Sequence, residues 1–140
     1  KLVFAKHYLF VHVYTDEGIV GLGEGIRYVR SLGTDRILSH EKAMFSLAKK
    51  GLSDIDGVKI YLPDREGGVL LFNFEGMSGS ALSAQLADEG ICTRPGLHCA
   101  PTAHEVLGTG GDAVRISFSA FTSPEDIYSF CSATKRLCRR

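Results

Sequence analysis

Residues 113–131, AVRISFSAFTSPEDIYSFC, decide the fold class of this chain. In the first part Val114, Ile116 and Phe118 alternate with Arg and Ser, which predicts a strand with one buried face. Ser123 then precedes Pro-Glu-Asp, a pattern that combines a capping residue, proline at the first helical position and acids in the first turn. The segment therefore predicts a half-buried strand followed by a well-capped helix.

The rest of the chain alternates between the same two kinds of element. Apolar spacing and glycine positions predict helices at 25–31, 34–52, 78–88 and 102–107, and strands at 58–62, 68–74 and 91–93. Gly51 and Gly57 mark the end of the second helix. This pattern indicates an α+β fold, with a small, mostly antiparallel sheet and helices packed on one face.

The N-terminal segment is rich in β-branched and aromatic residues. Residues 3–15 predict one long strand that pairs with the sheet, followed by a turn at 15–18 and the start of a returning strand at Ile19-Val20. We interpret His12 as a structural or edge-facing histidine rather than a ligand. The expected domains are an N-terminal strand or hairpin arm, residues 1–20, and an α+β domain, residues 21–140.

Composition excludes several classes of function. The 140 residues contain 16 Lys+Arg and 16 Asp+Glu, so no net charge favours nucleic acid or an anionic membrane surface. No apolar run approaches the ~20 residues of a membrane helix. The four cysteines contain no CxxC pair and predict reduced thiols in a cytoplasmic protein.

The segment RPGLHCAP at 94–101 is the strongest functional signal. It places Arg94, His98 and Cys99 within six residues of a Pro- and Gly-rich loop, which can present a thiol beside a fixed cation. We expect Cys99 to be the most reactive thiol. The expected protected thiols are those in the last helix and in the strand at 91–93: Cys131, Cys138 and Cys92.

Five segments carry a family resemblance by their order and spacing. They are GLGEGIRYV at 21–29, His40-Glu41, GVLLFNFEG at 68–76, RPGLHCA at 94–100 and VRISF at 114–118. From about Gly21 to Leu137, the chain resembles the C-terminal small domain of class V aminotransferase-fold enzymes. Within that family it resembles the branch of cysteine desulfurases and selenocysteine lyases.

The resemblance implies a site at the loop. Cys99 corresponds to the thiol that attacks the substrate sulfur and becomes a persulfide. Arg94 corresponds to the group that binds the substrate carboxylate with its guanidinium fork. His98 would assist substrate binding and bias the thiol toward thiolate. The substrate implied is a cysteine-like small amino acid, the cofactor is pyridoxal phosphate, and a homodimer is a further expectation.

The family's cofactor lysine and phosphate site lie in a large domain that precedes the small one. Lys42, in Ser-His-Glu-Lys, has the wrong order for the family's lysine motif and falls inside an amphipathic helix. We therefore expect this chain to be a fragment that binds no pyridoxal phosphate and is inactive alone.

The first residues suggest a different origin. FVHVYTDEGIVG at 10–21 resembles the first hairpin of enolase-superfamily capping domains, which suggests a join before the small domain. The alternative function is thus a non-catalytic truncated, chimeric or designed α+β module with a structural or binding role.

Two other chemistries use the same residues. Zinc would need Cys92, His98, Cys99 and His104, whose C-x5-H-C-x4-H spacing matches no familiar zinc pattern. A cysteine hydrolase would need Cys99, His104 and Glu105 as thiol, base and orienting acid, again at no known spacing.

Overall fold

The computed structural model describes residues 2–5, 8–11, 22–61, 67–97 and 99–138, and side chains from residue 26 onward. It divides into two compact units, Lys1–Ile37 and Leu38–Arg140. The described helices are α1 Leu22–Leu32, α2 Thr34–Ser53, α3 Gly79–Asp88, α4 Pro101–Leu107 and α5 Pro124–Leu137. The described strands are β1 Leu2–Ala5, β2 Tyr8–Val11, β3 Val58–Tyr61, β4 Val69–Phe74, β5 Arg94–Pro95 and β6 Val114–Ser117.

The N-terminal unit begins with a hairpin. Strands β1 and β2 pair antiparallel, with Leu2 opposite Val11 and Ala5 opposite Tyr8, as a two-stranded sheet of their own. The prediction of one long strand at 3–15 that joins the main sheet is therefore wrong. In the sequence, the polar pair Lys6-His7 interrupts the apolar run between the two strands. The positions of His12 and of the turn at 15–18 lie outside the described residues.

The second unit is built on a four-stranded sheet in the order β3-β4-β6-β5. Every neighbouring pair is antiparallel. Leu70 of β4 lies opposite Ile116 of β6, and Phe72 lies opposite Val114, and all four side chains are buried. This alternation gives the sheet one apolar face, because cross-strand partners share a face.

Three helices supply the other half of the core. The buried apolar residues of α2, α3 and α5 form one cluster with those of β4 and β6: Met44, Phe45, Ala48, Leu52, Leu82, Leu86, Ile127, Phe130, Ala133 and Leu137. Edge-to-face ring pairs join the layers, with Phe72 and Phe130 centroids 5.7 Å apart. The α+β class and the antiparallel sheet are confirmed.

The N-terminus of α5 lies where the sequence predicts it, directly after Ser123. The Ser123 side chain accepts a hydrogen bond from the Asp126 backbone N–H, and the Asp126 carboxylate accepts one from the Ser123 backbone N–H at 2.8 Å. Hydrogen bonds to the carboxylate hold the pKa of Asp126 below its usual range. The bond from the Ser123 backbone N–H has the largest effect, and the bond from the Ser123 hydroxyl has the next largest. The cap predicted at Ser123 is therefore present, and the two reciprocal bonds make it a capping box.

The strand predicted at 91–93 is misplaced. The backbone N–H of Ile91 donates to the carbonyl of Leu86 at 2.9 Å, so this segment completes the end of α3. The strand instead falls at Arg94–Pro95, where β5 pairs with β6. Thr93, directly before it, is tied to α3 by a 2.6 Å hydrogen bond between its hydroxyl and that of Ser83.

Gly51 lies inside α2, although the sequence predicted that it would mark the helix end. A Cβ at this position would stand 2.5 Å from the Sγ and 3.1 Å from the Cβ of Cys131 on α5. The glycine therefore permits close contact between the two helices.

We predict that Gly51→Ala lowers the free energy of unfolding. Overpacking costs ~1–3 kcal/mol, which exceeds the gain of about 1 kcal/mol from replacing a helical glycine. In a Cys131→Ala background the Sγ is absent and only the 3.1 Å contact with the Cβ remains, so the cost of Gly51→Ala should become smaller. Urea unfolding of the four variants measures this coupling, and equal costs in both backgrounds would contradict the packing account.

Candidate functional site

The candidate site lies where β5 leaves the sheet. After Arg94–Pro95, Gly96 takes a φ of +94° and its N–H donates to the carbonyl of Ala113 at 3.0 Å. Residues 96–100, which we call the cysteine loop, then lead to α4. Ala100 N–H donates to the carbonyl of Leu97 at 2.9 Å, which closes a turn around Cys99. His98 lies outside the described residues, so its role stays a prediction.

Two arginines are neighbours across the sheet. Arg94 of β5 lies directly opposite Arg115 of β6, and Arg115 in turn lies opposite Leu71 of β4. These positions share the face of the sheet opposite the core cluster, since the residues of β6 on either side, Val114 and Ile116, are buried in that cluster. Cross-strand partners have Cβ atoms roughly 5 Å apart. The sheet therefore brings two cations together close to the start of the cysteine loop.

Arg115 adds a feature that the sequence analysis did not use. Its Nε is buried, and within the part of the chain that the structure describes it has no hydrogen-bond partner. A buried donor without a partner costs free energy, about 1–3 kcal/mol or more for a charged group. In the sequence, Arg115 is recognisable only as the polar residue between the apolar residues Val114 and Ile116. Its position beside Arg94 becomes visible only in the pairing of β5 with β6.

Cys99 is exposed and has an unusual backbone conformation. Its φ is +60°, and it is the one non-glycine residue with positive φ among the described residues. The left-handed region costs an L-residue roughly 1–2 kcal/mol. Such residues persist where the surrounding structure fixes them, and they concentrate at functional sites.

His104 is not placed to act as a base toward solvent. The residue is 3% exposed, and its Nδ1 forms a 2.6 Å hydrogen bond with the Thr109 hydroxyl. Among the described residues, no group of three His, Cys, Asp or Glu side chains is arranged to hold a metal ion. Neither the hydrolase nor the zinc hypothesis gains support from these residues.

The other three thiols differ in their surroundings. Cys92 is exposed and lies outside any strand, so the prediction that a strand protects it is wrong. Cys131 and Cys138 are half-buried in or at the end of α5, and burial raises the pKa of each thiol to about 11. These two cysteines should therefore be poor nucleophiles at neutral pH.

The model of the class-V aminotransferases matches residues 16–130, more than half of the sequence. This chain belongs to the class-V aminotransferase family. The members of this family that are cysteine desulfurases depend on pyridoxal phosphate. The match contains α1 to α4, the sheet β3-β4-β6-β5 and the first half of α5, and it includes the cysteine loop.

Within the family, the chain is similar to curated proteins described as probable cysteine desulfurases. The chain is 34% identical over 119 residues to a probable cysteine desulfurase of Staphylococcus epidermidis, covering 84% of this chain and 29% of the relative. It is 37% identical over 119 residues to probable cysteine desulfurase 1 of Mycobacterium leprae, covering 84% and 19%. The chain thus spans less than a third of the length of these relatives.

Solved structures give the same result. The apo cysteine desulfurase of Thermococcus onnurineus superposes with a TM-score of 0.80 at 32% identity, covering 87% of this chain and 31% of that one. A cysteine desulfurase of Escherichia coli, at 24% identity and a TM-score of 0.79, shares the fold. This chain is therefore a cysteine desulfurase-like segment of the class-V fold.

The described residues do not fit a pyridoxal phosphate site. A Schiff-base lysine acts in a desolvated environment that lowers its pKa. None of the lysines with described side chains is buried: Lys42, Lys49, Lys50, Lys59 and Lys135. Lys42 in particular is exposed on α2, and Lys59 lies over the ring of Tyr61.

None of the described helices has both the length and the apolar character needed to cross a membrane.

We predict that brief alkylation at pH 8 modifies Cys92 and Cys99 before Cys131 and Cys138. With a pKa of about 11, only about one part in a thousand of the last two thiols is ionised at that pH. Their labelling rates should keep rising up to about pH 11. Peptide mass spectrometry measures each rate, and a plateau below pH 9 at Cys131 would contradict the effect of burial.

The same shift has a consequence for stability. A pKa raised on folding contributes stability that is complete below the unfolded value, about 8.5, and is lost as the pH rises through the folded value. The labelling series is therefore read together with circular dichroism, so that unfolding above pH 9 is not mistaken for ionisation of a folded thiol.

Proposed function

We propose that this chain is the sulfur-accepting segment of a pyridoxal phosphate-dependent cysteine desulfurase. Cys99 accepts the sulfur, Arg94 binds the carboxylate of the substrate cysteine together with Arg115, and His98 assists at the thiol. The observation that carries the proposal is the register of β5 and β6. It sets Arg94 directly opposite Arg115, and Arg94 lies five residues before an exposed thiol.

A carboxylate fits the chemistry of the arginine pair. Like charges directly opposite each other on a sheet are destabilising, and the buried Nε of Arg115 has no hydrogen-bond partner among the described residues. A bound carboxylate lowers both costs, because it is an anion with two acceptor oxygens that match a guanidinium fork. The α-carboxylate of an amino acid has this chemistry.

The position of Cys99 then suits sulfur transfer. The Cys99 thiolate attacks the sulfur of the bound cysteine, and a sulfur–sulfur bond forms to give a persulfide. The bond between that sulfur and the substrate carbon breaks, and its electron pair goes to the carbon, which takes a proton to give alanine.

Carbon–sulfur cleavage needs an electron sink, which the family obtains from pyridoxal phosphate. The described residues offer no buried lysine for it, so we assign this chain carboxylate binding and sulfur acceptance, without turnover on its own. The expected location is the cytoplasm, which agrees with four free cysteines.

The test compares two alkylating reagents that differ in charge. Iodoacetate carries a carboxylate and iodoacetamide does not, so the ratio of their rates at one thiol reports carboxylate binding beside it. We predict that this ratio is about fivefold higher at Cys99 than at Cys92, the factor expected for roughly 1 kcal/mol of charge attraction. Arg94→Gln and Arg115→Gln should each lower the ratio at Cys99.

The control is Arg136→Gln, which removes an exposed arginine that pairs with Glu89 on another part of the unit. This variant should leave the ratio unchanged. Because both reagents need the thiolate, a change in the thiol pKa cancels in the ratio. Equal ratios at Cys99 and Cys92 would overturn the assignment of a carboxylate site.

A further inference from the structure

We propose that His104 and Thr109 are positioning residues for Cys99. Their buried hydrogen bond holds Cys99 in its left-handed conformation. This inference rests on the proposed function only because that function makes Cys99 the sulfur acceptor. The conformation itself is observed, and a φ of +60° at a cysteine requires neighbours that keep the chain from relaxing.

Helix α4 fixes the C-terminal side of the cysteine loop. The backbone N–H of His104 donates to the carbonyl of Ala100 at 3.2 Å, so the residue after Cys99 is bound to the helix. The helix has only seven residues, and helices this short are not stable in isolation. Of these seven, all described, His104 alone is buried. Attachment of α4 to the unit therefore depends on the His104 side chain.

Thr109 connects His104 to the other side of the loop. Its hydroxyl oxygen forms the 2.6 Å bond with His104 Nδ1 and also accepts a hydrogen bond from the N–H of Gly111 at 3.2 Å. The side chain of Leu97 lies against Gly111, since a Cβ there would stand 3.2 Å from Leu97 Cδ2. Gly111 thus connects the threonine to the residue two positions before Cys99.

These contacts form a closed path around Cys99. From the cysteine it runs through Ala100 and α4 to His104, then through Thr109 and Gly111, and back through Leu97. Loss of the Thr109 hydroxyl removes both side-chain hydrogen bonds of this path and leaves the backbone bond from the Thr109 N–H to the His104 carbonyl as the link between the two residues. Cys99 is then free to move to a negative φ, and the direction of its thiol relative to Arg94 is no longer fixed.

The test uses glycine and alanine at position 99 as probes of the backbone. Glycine adopts a positive φ without steric cost, so Cys99→Gly should melt higher than Cys99→Ala, by roughly 2–4 °C. At a relaxed loop position the order reverses, because alanine restricts the unfolded chain. We expect the glycine advantage to disappear in Thr109→Val, which keeps the shape and lacks the hydroxyl, and to persist in Thr109→Ser.

A matched control is His40→Gln. His40 also anchors a loop, since its Nε2 donates to the carbonyl of Thr122 at 2.8 Å, but it has no place in the path around Cys99. The glycine advantage should survive this change. If Thr109→Val does not fold, Leu97→Ala replaces it, because Leu97 is 47% exposed and its loss opens the same path.

The inference is overturned if Cys99→Gly keeps its full advantage in melting temperature over Cys99→Ala when Thr109→Val or Leu97→Ala is also present. It is overturned as well if Cys99→Gly has no such advantage when Thr109 and Leu97 are unchanged. Neither result depends on sulfur chemistry. Failure of the carboxylate site appears in the ratio of iodoacetate to iodoacetamide rates, so the two proposals can fail separately.

Discussion

The pairing of β6 with β4 on one side and β5 on the other is the constraint on which the second unit depends. Val114 and Ile116 of β6 enter the core cluster, where helices α2, α3 and α5 cover them. Arg115 lies between them and faces the opposite side of the sheet, beside Arg94. One four-residue strand therefore sets both the apolar core and the spacing of the cations, because successive side chains of a strand point to opposite faces.

The residues that stabilise the fold and the residues of the candidate site therefore lie on different parts of this sheet. The apolar face is filled by close-packed side chains, and contacts such as that between Gly51 and Cys131 leave little space. The site lies at the sheet edge, where β5 has only two residues before the chain departs into the cysteine loop. A short edge strand gives little hydrogen bonding of its own, so the loop needs the buried contacts beneath α4 to keep one conformation.

Part of this organisation could be predicted from sequence. The strand at 114–117 and the helix after Ser123 follow from local patterns, since alternation and capping act within a few residues. The hairpin at 2–11 and the position of β5 did not follow, because pairing with a distant strand selects them. Likewise, the sequence pointed to Arg94 and Cys99, but the importance of Arg115 appears only in the register of the sheet.

The proposed function depends on the acceptance of sulfur by Cys99 from a cysteine-like substrate. The most direct measurement supplies the chain with cysteine persulfide, which carries the amine and carboxylate of the substrate and a transferable outer sulfur. The Cys99 thiolate attacks that sulfur, and cysteine thiolate leaves. Mass spectrometry of the peptides should find one added sulfur atom on Cys99 well before it appears on Cys92, which is also exposed. Transfer to Cys92 at an equal or greater rate would contradict the account.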